Sequence, residues 1–296
     1  MTKKNSSHKV LVTGGLGFIG SHLVDRLIAE GHDVTIIDNL STATSSEDNW
    51  NKKASWQRFD IKDIGKLQDH CALKFDTIYH MAAIARIQPS FKDPESYFNS
   101  NVQGTLAVLE YARKNGSKVI YAGSSSAFAG PYKNPYTFTK WQGEELCKMY
   151  AKVFGISTVT ARFFNVYGPR QPEGGAYSTI LGIFQKQYEA NTPLTITGDG
   201  EQRRDFTHID DIVDGIIRLS HDEWSGEIFS LGKGKNFSIN ELAKMFGGSV
   251  EYITSRPGEA RITLADYSKM HEKTGWEPKQ KLENYVKQWK NDYNST

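Results

Sequence analysis

Three glycines near the N-terminus constrain this chain more than any other feature. Val10, Leu11 and Val12 form a short apolar run entering Thr13-Gly14-Gly15-Leu16-Gly17-Phe18-Ile19-Gly20. A run of that length suits a parallel strand buried on both faces. Beyond the glycines, Phe18, Ile19, Leu23, Val24, Leu27 and Ile28 share one helical face, and Gly31 ends a helix over 18–30. A strand that turns through glycines directly into a helix opens a doubly wound α/β sheet.

The rest of the chain repeats the alternation. Strands are expected at 34–37, 56–59, 77–80, 119–122 and 158–163, with helices over 94–114 and 136–154. Such alternation gives a parallel sheet with helices on both faces. The pattern changes after Gly168-Pro169. A loop marked by Pro172, Gly174 and Gly175 leads to helices at 177–189 and 209–219, the latter with Asp210 and Asp211 in its first turn. Residues 228–231 can return a strand to the large sheet. Ser238 and Glu241 form a capping box for a short helix to 246, and 282–293 is amphipathic. The fold class is thus α/β, a Rossmann-type doubly wound parallel sheet with a smaller α/β lobe interleaved in sequence. The sheet domain takes 1–166 and regains 202–232; the lobe takes 167–201 and 233–296.

Bulk properties exclude several classes. A net charge of +2 leaves no footprint for nucleic acid or a membrane surface. No run nears the roughly 18 apolar residues of a membrane span. Lys3, Lys4 and Lys9 belong to a frayed basic tail, since Val10 to Val12 is too short for a signal peptide. Cys71 and Cys147 are far apart and read as reduced thiols of a cytoplasmic protein. The histidines show no metal-ligand spacing, and no metal site is expected.

Gly14, Gly17 and Gly20 stand three apart, where the dinucleotide fingerprint is G-x-G-x-x-G, and Gly15 adds a further small residue. Glycine lets backbone approach a pyrophosphate, and the helix N-terminus supplies oriented N–H groups. Asp38 ends the second strand, 18 residues after Gly20. A carboxylate there accepts both adenosine ribose hydroxyls and repels a 2′-phosphate. No Arg follows closely, so NAD is favoured over NADP. The competing account is a tight strand–helix turn with a surface Asp. Asp60-Ile61 has two readings, an acceptor for the adenine amino group or a helix N-cap.

Tyr136 follows Ser125 by eleven positions, and Lys140 lies four beyond Tyr136. Residues i and i+4 share a helical face. A free Tyr titrates at about 10 and is a poor base at neutral pH unless a cation stabilises the phenolate. Lys140 and a positive nicotinamide would do so, and Ser125 would orient the reacting oxygen. Tyr-x-x-x-Lys alone is a common accident; behind a glycine turn it points to redox chemistry at a hydroxyl or ketone.

These residues resemble the extended short-chain dehydrogenase/reductase family, in particular nucleotide-sugar epimerases of the UDP-glucose 4-epimerase type. The similarity runs over about 9–289, through 13–23, 38–41, His80-Met81-Ala82-Ala83, 101–110, 124–126, 162–171, 198–211 and 256–259. The resemblance implies that Tyr136 removes the sugar O4 proton while hydride moves from C4 to NAD and back to the other face. It implies Lys140 on the nicotinamide ribose and Ser125 on the O4 or keto oxygen. The NAD site would comprise Gly14, Gly17, Phe18, Ile19, Asp38, Asn39, Asp60, Ile61, Ala82 and Lys140. Asn165 would contact the sugar nucleotide, Arg204 and Arg256 the diphosphate or nucleotide, and Glu259 the nucleotide ribose. Blander readings stand beside these: an Arg204–Asp205 ion pair, a turn role for Asn165, and a strand-ending role for His80. A homodimer through the 94–114 and 136–154 helices is also implied.

The chain departs from the family pattern in places. Only Ala127 to Pro135 remain of a longer, proline-rich loop between Ser and Tyr, so the site is either more open or covered by another segment. Ala129 replaces a frequent Tyr. Ala85 stands where a cofactor-binding Lys is usual, and Arg86 after it is unusual, either reaching a phosphate or simply solvated. Ser126 and Ala127 leave no carboxylate for elimination, which argues for epimerisation over dehydration or decarboxylation. Thr263, seven residues past Arg256, is small enough to admit an N-acetyl group at C2. The expectation is an NAD-dependent 4-epimerase acting on UDP-glucose/UDP-galactose and the N-acetyl forms. The alternatives are another nucleotide-sugar enzyme, such as a 4-keto-sugar reductase or a different epimerase, and a catalytically idle NAD-binding regulator.

Overall fold

The strands of the computed structural model are Lys9–Thr13 (β1), Asp33–Ile37 (β2), Ser55–Gln57 (β3), Thr77–His80 (β4), Lys118–Ser124 (β5), Thr158–Phe163 (β6), Val166–Tyr167 (β7), Leu194–Thr197 (β8), Arg203–Asp205 (β9), Thr207–His208 (β10), Ser225–Leu231 (β11), Asn236–Ser238 (β12) and Val250–Ile253 (β13). The structure describes residues 7–42, 45–67, 74–175 and 178–295. The tail residues Lys3 and Lys4, Cys71, and Tyr177 at the start of the expected 177–189 helix lie outside them.

Seven strands form one parallel sheet in the order β11-β6-β5-β4-β1-β2-β3. The order reverses beside β1, between β4 and β2, and in such sheets the crevice outside the strand carboxyl ends is where ligands bind. The returning strand is β11, paired with β6 as Ile228↔Thr160 to Leu231↔Phe163. The third strand is shifted toward the N-terminus relative to 56–59, because Phe59 packs against a hydrophobic core instead of extending the ladder.

Helix α1 (Phe18–Ala29) buries Leu23, Val24 and Leu27 against one face of the sheet, with Ile212 and Ile216 of the helix Ile209–Ser220 in the same core. The other face is covered by Val108, Leu109 and Tyr111 of the helix Gly104–Asn115 and by Cys147 and Tyr150 of the helix Pro135–Phe154. Each fully buried Leu or Ile contributes roughly 1.5–3 kcal/mol. A third core joins Leu194 and Ile196 of β8 to Leu181, Phe184, Leu242, Phe246 and Val286, closing the smaller lobe.

In chain order the helices after α1 are Ile87–Lys92 (α2), Pro94–Tyr97 (α3), Gly104–Asn115 (α4), Pro135–Phe154 (α5), Ile180–Glu189 (α6), Ile209–Ser220 (α7), Ile239–Phe246 (α8), Ser268–Thr274 (α9) and Leu282–Asn294 (α10). The expected helix over 94–114 is three segments, with a wide π-helical turn at Phe98–Gln103 between α3 and α4. Such turns recur at functional sites. This one carries Asn101, whose amide accepts from Ile84 N (2.8 Å) and donates to Ile84 O (3.0 Å) and Thr139 Oγ1 (3.1 Å). It therefore fastens the segment after β4 to α5.

Two buried carboxylates pin distant segments of the chain together. Asp205 accepts the backbone amides of Lys233 (2.7 Å), Gly234 (2.9 Å) and Ala265 (3.0 Å). Asp211 accepts those of Lys279 and Gln280, each at 2.9 Å. The capping box of α8 forms as the sequence predicts, Ser238 with Glu241.

Candidate active site

A cavity of about 500 Å³ opens at the carboxyl ends of the strands. Its wall begins at Gly14 and Asp38 and ends at Arg256, Glu259 and Thr263. Every residue that the sequence nominates for cofactor, chemistry or substrate lines it: Phe18, Ile19, Asn39, Asp60, Ile61 and Ala82 with Gly17 at one end, Ser125, Tyr136 and Lys140 in the middle, Asn165 and Arg204 beyond.

The glycine turn fits a dinucleotide for steric reasons. Gly14 has φ +68°, and a Cβ there would stand 2.7 Å from the Ala82 backbone. A Cβ on Gly20 would stand 2.0 Å from the Gly14 carbonyl oxygen. Both are packing glycines, forced by the contact of β1, α1 and the segment after β4. All three line the cavity, but Gly17 differs in being the N-cap of α1 with no side-chain cap and no contact under 3.3 Å for an added Cβ. Uncapped N–H groups at a helix start are an anion site. Asp38 is 6% exposed and takes Leu16 N (3.1 Å) and Leu40 N (2.9 Å). Burial raises its pKa, and those amides oppose the rise. Asp60 is the N-cap of a short 3-10 turn, accepting from Lys62 N (2.9 Å), and also accepts from Asn39 (3.2 Å). Its position in the cavity wall and its capping role hold together.

Asn134 caps α5 by accepting from Thr137 N at 2.8 Å, and Pro135 occupies the first helical position. One turn of helix then sets Tyr136 and Lys140 on the cavity side. The Tyr136 hydroxyl donates to Ser124 Oγ at 3.2 Å. Ser124 Oγ in turn meets Ser126 Oγ (2.9 Å) and accepts from Ser126 N (3.2 Å). Ser125, the residue nominated from sequence, lines the cavity one position on. Spacing alone does not separate adjacent serines at a strand end; the 3-10 turn Ser125–Ala129 does.

Burial raises the Tyr136 pKa; the Ser124 hydroxyl and then the Arg86 guanidinium pull it down. Arg86 lines the same cavity. Tyr97 links the two: its hydroxyl donates to the Arg86 carbonyl (2.8 Å), and its ring packs edge-on to Tyr136 at 6.2 Å. Lys140 is 4% exposed and lies 4.2 Å over the Tyr121 ring. Burial lowers its pKa to about 8, with Glu144 opposing. Glu144, fully buried, is held by Arg162 Nε at 2.9 Å. His80 bridges Thr13 Oγ1 (2.8 Å) and Thr105 Oγ1 (3.0 Å), and burial drops its pKa to about 3. It is a neutral strut that locks the strand ends.

At the far end Arg204 pairs with Glu259 (3.3 Å) rather than with Asp205, whose oxygens are taken by amides. Asn165, at φ +29°, donates to the Asp205 carbonyl (3.0 Å) and to Thr263 Oγ1 (3.3 Å). The 256–260 segment closes over the shortened Ser–Tyr loop. Gln88 Nε2 donates to Pro257 O (2.9 Å) and Asn134 Nδ2 to Gly258 O (3.1 Å). A Cβ on Gly258 would meet Phe91 at 3.0 Å. Among the described residues no three His, Cys, Asp or Glu side chains gather as a metal site, and no helix is long and apolar enough to cross a membrane.

A parallel switch-point sheet, a glycine-turned anion site and a Tyr/Lys pair define an extended short-chain dehydrogenase/reductase. The chain belongs to the NAD dependent epimerase/dehydratase family, whose model matches residues 10–232. NAD is its cofactor. The chain is 34% identical to a putative UDP-glucose 4-epimerase of Methanocaldococcus jannaschii, covering 97% of this chain and 100% of that one. Its fold matches the UDP-glucose 4-epimerase of Thermotoga maritima solved with UDP-glucose at a TM-score of 0.90, with 31% identity, 97% of this chain and 99% of that one. The UDP-glucuronic acid 4-epimerase of Bacillus cereus, solved with UDP-glucuronic acid and NAD, matches at 0.86, with 31% identity and the same 97% and 99% coverage. These relatives make it an NDP-sugar epimerase.

Proposed function

We propose that the protein inverts C4 of a UDP-hexose, with UDP-glucose/UDP-galactose and their N-acetyl forms as the substrate pairs. The observation that carries this reading is the half-buried Tyr136 hydroxyl, in one cavity with both the glycine turn and the Arg204–Glu259 pair. Tyr136 takes the proton from the C4 hydroxyl and returns it. Ser124, with Ser125 beside it, holds the reacting oxygen. NAD held beside Tyr136 and Lys140 would supply reversible hydride transfer at C4 and would not be consumed. Gly17 and the start of α1 receive the pyrophosphate, Asp38 the adenosine ribose, and Ala82, Ile61 and Asp60 flank the adenosine. Lys140 holds the nicotinamide ribose and adds positive charge near the phenolate.

Arg204 and Arg256 take the diphosphate, for which the guanidinium fork is suited. Glu259 meets the uridine ribose, and Asn165 and Thr263 border the sugar. The carboxylates in the cavity wall are Asp38, Asp60 and Glu259. The first two stand at the cofactor end and the third is paired with Arg204, so among the described residues no unpaired acid lines the sugar end of the cavity. This favours epimerisation over the dehydratase branch of the family.

We read 1–166 with 202–232 as the NAD domain, the remainder as the sugar-nucleotide lobe, and the setting as cytoplasmic. Val153 (62% exposed), Met149 and Leu106 leave an apolar stripe on α4 and α5 that suits a homodimer. The test of function is an NMR assay of purified protein with UDP-glucose, UDP-galactose, the N-acetyl forms and UDP-glucuronic acid, without added NAD. Inversion at C4 establishes the reading, and the preferred pair identifies the sugar. A requirement for added NAD(P)H would instead indicate a 4-keto-sugar reductase.

A further inference from the structure

Asn134 does two jobs with one amide. Its Oδ1 accepts from Thr137 N at 2.8 Å, fixing the first turn of α5, and its Nδ2 donates to Gly258 O at 3.1 Å. The side chain is 5% exposed, so neither bond is shared with bulk water. Tyr136 lies two residues beyond it. On the other side of Gly258 stand Arg256 and Glu259, and Glu259 pairs with Arg204. Gly258 is at φ +76°, and a Cβ there would stand 3.0 Å from Phe91 and 3.3 Å from the Lys133 carbonyl oxygen. A second tie, Gln88 Nε2 to Pro257 O at 2.9 Å, holds the same loop to α2.

We propose that Asn134 is a positioning residue that couples the 256–260 loop to the first turn of α5, so that seating the nucleotide and setting Tyr136 are one event. This rests on the substrate reading above. A capping carboxylate or hydroxyl would serve the helix as well as an amide does. A carboxylate has no donor and a serine hydroxyl is too short, whereas the amide carries a donor apart from its capping oxygen and reaches the Gly258 carbonyl while capping. The loop thereby supplies the cover that the short Ala127–Pro135 connection lacks. It delivers binding at the nucleotide end to the reacting end, where small misplacements are costly.

The test uses the full chain and two variants. Asn134→Ser keeps a helix cap and is too short to reach Gly258; Gln88→Ala releases the loop without touching α5. Amide hydrogen exchange is followed in 135–140 and 256–260. Coupling requires that both variants speed exchange in both segments, at unchanged thermal midpoint. With substrate, Asn134→Ser should lower kcat about ten-fold and move KM less. Faster exchange in 256–260 alone, or a change in KM alone, makes Asn134 a loop clip and overturns the proposal. Wild-type exchange and kcat in Asn134→Ser make it a simple cap and overturn it equally. A wild-type protein that inverts no nucleotide sugar would sink the functional reading, while the exchange comparison would still decide the coupling.

Discussion

The hydroxyl of Tyr136 rests on Ser124, 3.2 Å away, and Ser124 is itself held by the Ser126 amide. The bond favours the phenolate, since Ser124 can donate to it once the proton has gone. Ser124→Ala is therefore expected to cost more in kcat than Ser125→Ala, by about ten-fold. Tyr136→Phe is expected to lose about 10²–10⁴-fold with the fold intact. Steady-state rates with circular dichroism as the folding control check both, and an equal or larger loss at Ser125 would return the role to that residue.

Arg86 is the cation whose charge opposes the burial of Tyr136. Its guanidinium stays protonated across the working range. Glu144 of α5 acts against it and raises the Tyr136 pKa, while the rings of Tyr97 of α3 and Tyr121 of β5 are the titratable groups beside it. Removing Arg86 raises the Tyr136 pKa further. The acid limb of the pH–kcat profile should then move to higher pH in Arg86→Gln and move back in Arg86→Lys. A shift in KM without movement of that limb would assign Arg86 to a substrate anion.

Lys140 titrates at about 8 in the folded protein because it is buried, against about 10.4 in an unfolded chain. Between these values the unfolded chain binds the extra proton, so wild-type stability rises with pH across that window. At about pH 7 the buried charge costs on the order of 3 kcal/mol. Lys140→Met should be inactive, more stable than wild type at neutral pH, and nearer to it above about pH 10. Urea midpoints across that range test the sign; a gap that widens with pH would contradict it.

Gly20→Ala sets a Cβ 2.0 Å from the Gly14 carbonyl oxygen, whereas at Gly17 the nearest such contact is 3.3 Å. The first substitution should destabilise the protein by about 1–3 kcal/mol or more. Gly17→Ala should fold and hold less NAD. Thermal melting together with the NAD content of the purified proteins separates the two effects.

What the sequence disclosed is what local rules control. The glycine spacing, the strand ending at Asp38, the i to i+4 relation of Tyr136 and Lys140 and the Ser238 capping box are all short-range. The cavity wall contains every nominated residue because those short motifs end at the same edge of one sheet. The choice between Ser124 and Ser125 depends on the twist of a 3-10 turn. The Arg204–Glu259 pair and the Asn134–Gly258 bond span 55 and 124 positions, and no period or spacing encodes them. The π turn at Phe98–Gln103 widens the helix within one turn and leaves no separate mark in the apolar spacing. Arg86 stood out as an unusual residue, and only the fold shows which side chain it faces.

The three backbone amides gathered on Asp205 have a mechanical consequence. They clamp β9 to the ends of the 233–234 and 263–265 segments, at the seam between sheet and lobe. One carboxylate thus fixes residues 205, 233–234 and 265 relative to one another, and Arg204 is carried on the same anchored strand. The Arg204 end of the cavity therefore owes its shape to covalently distant segments held on a single side chain.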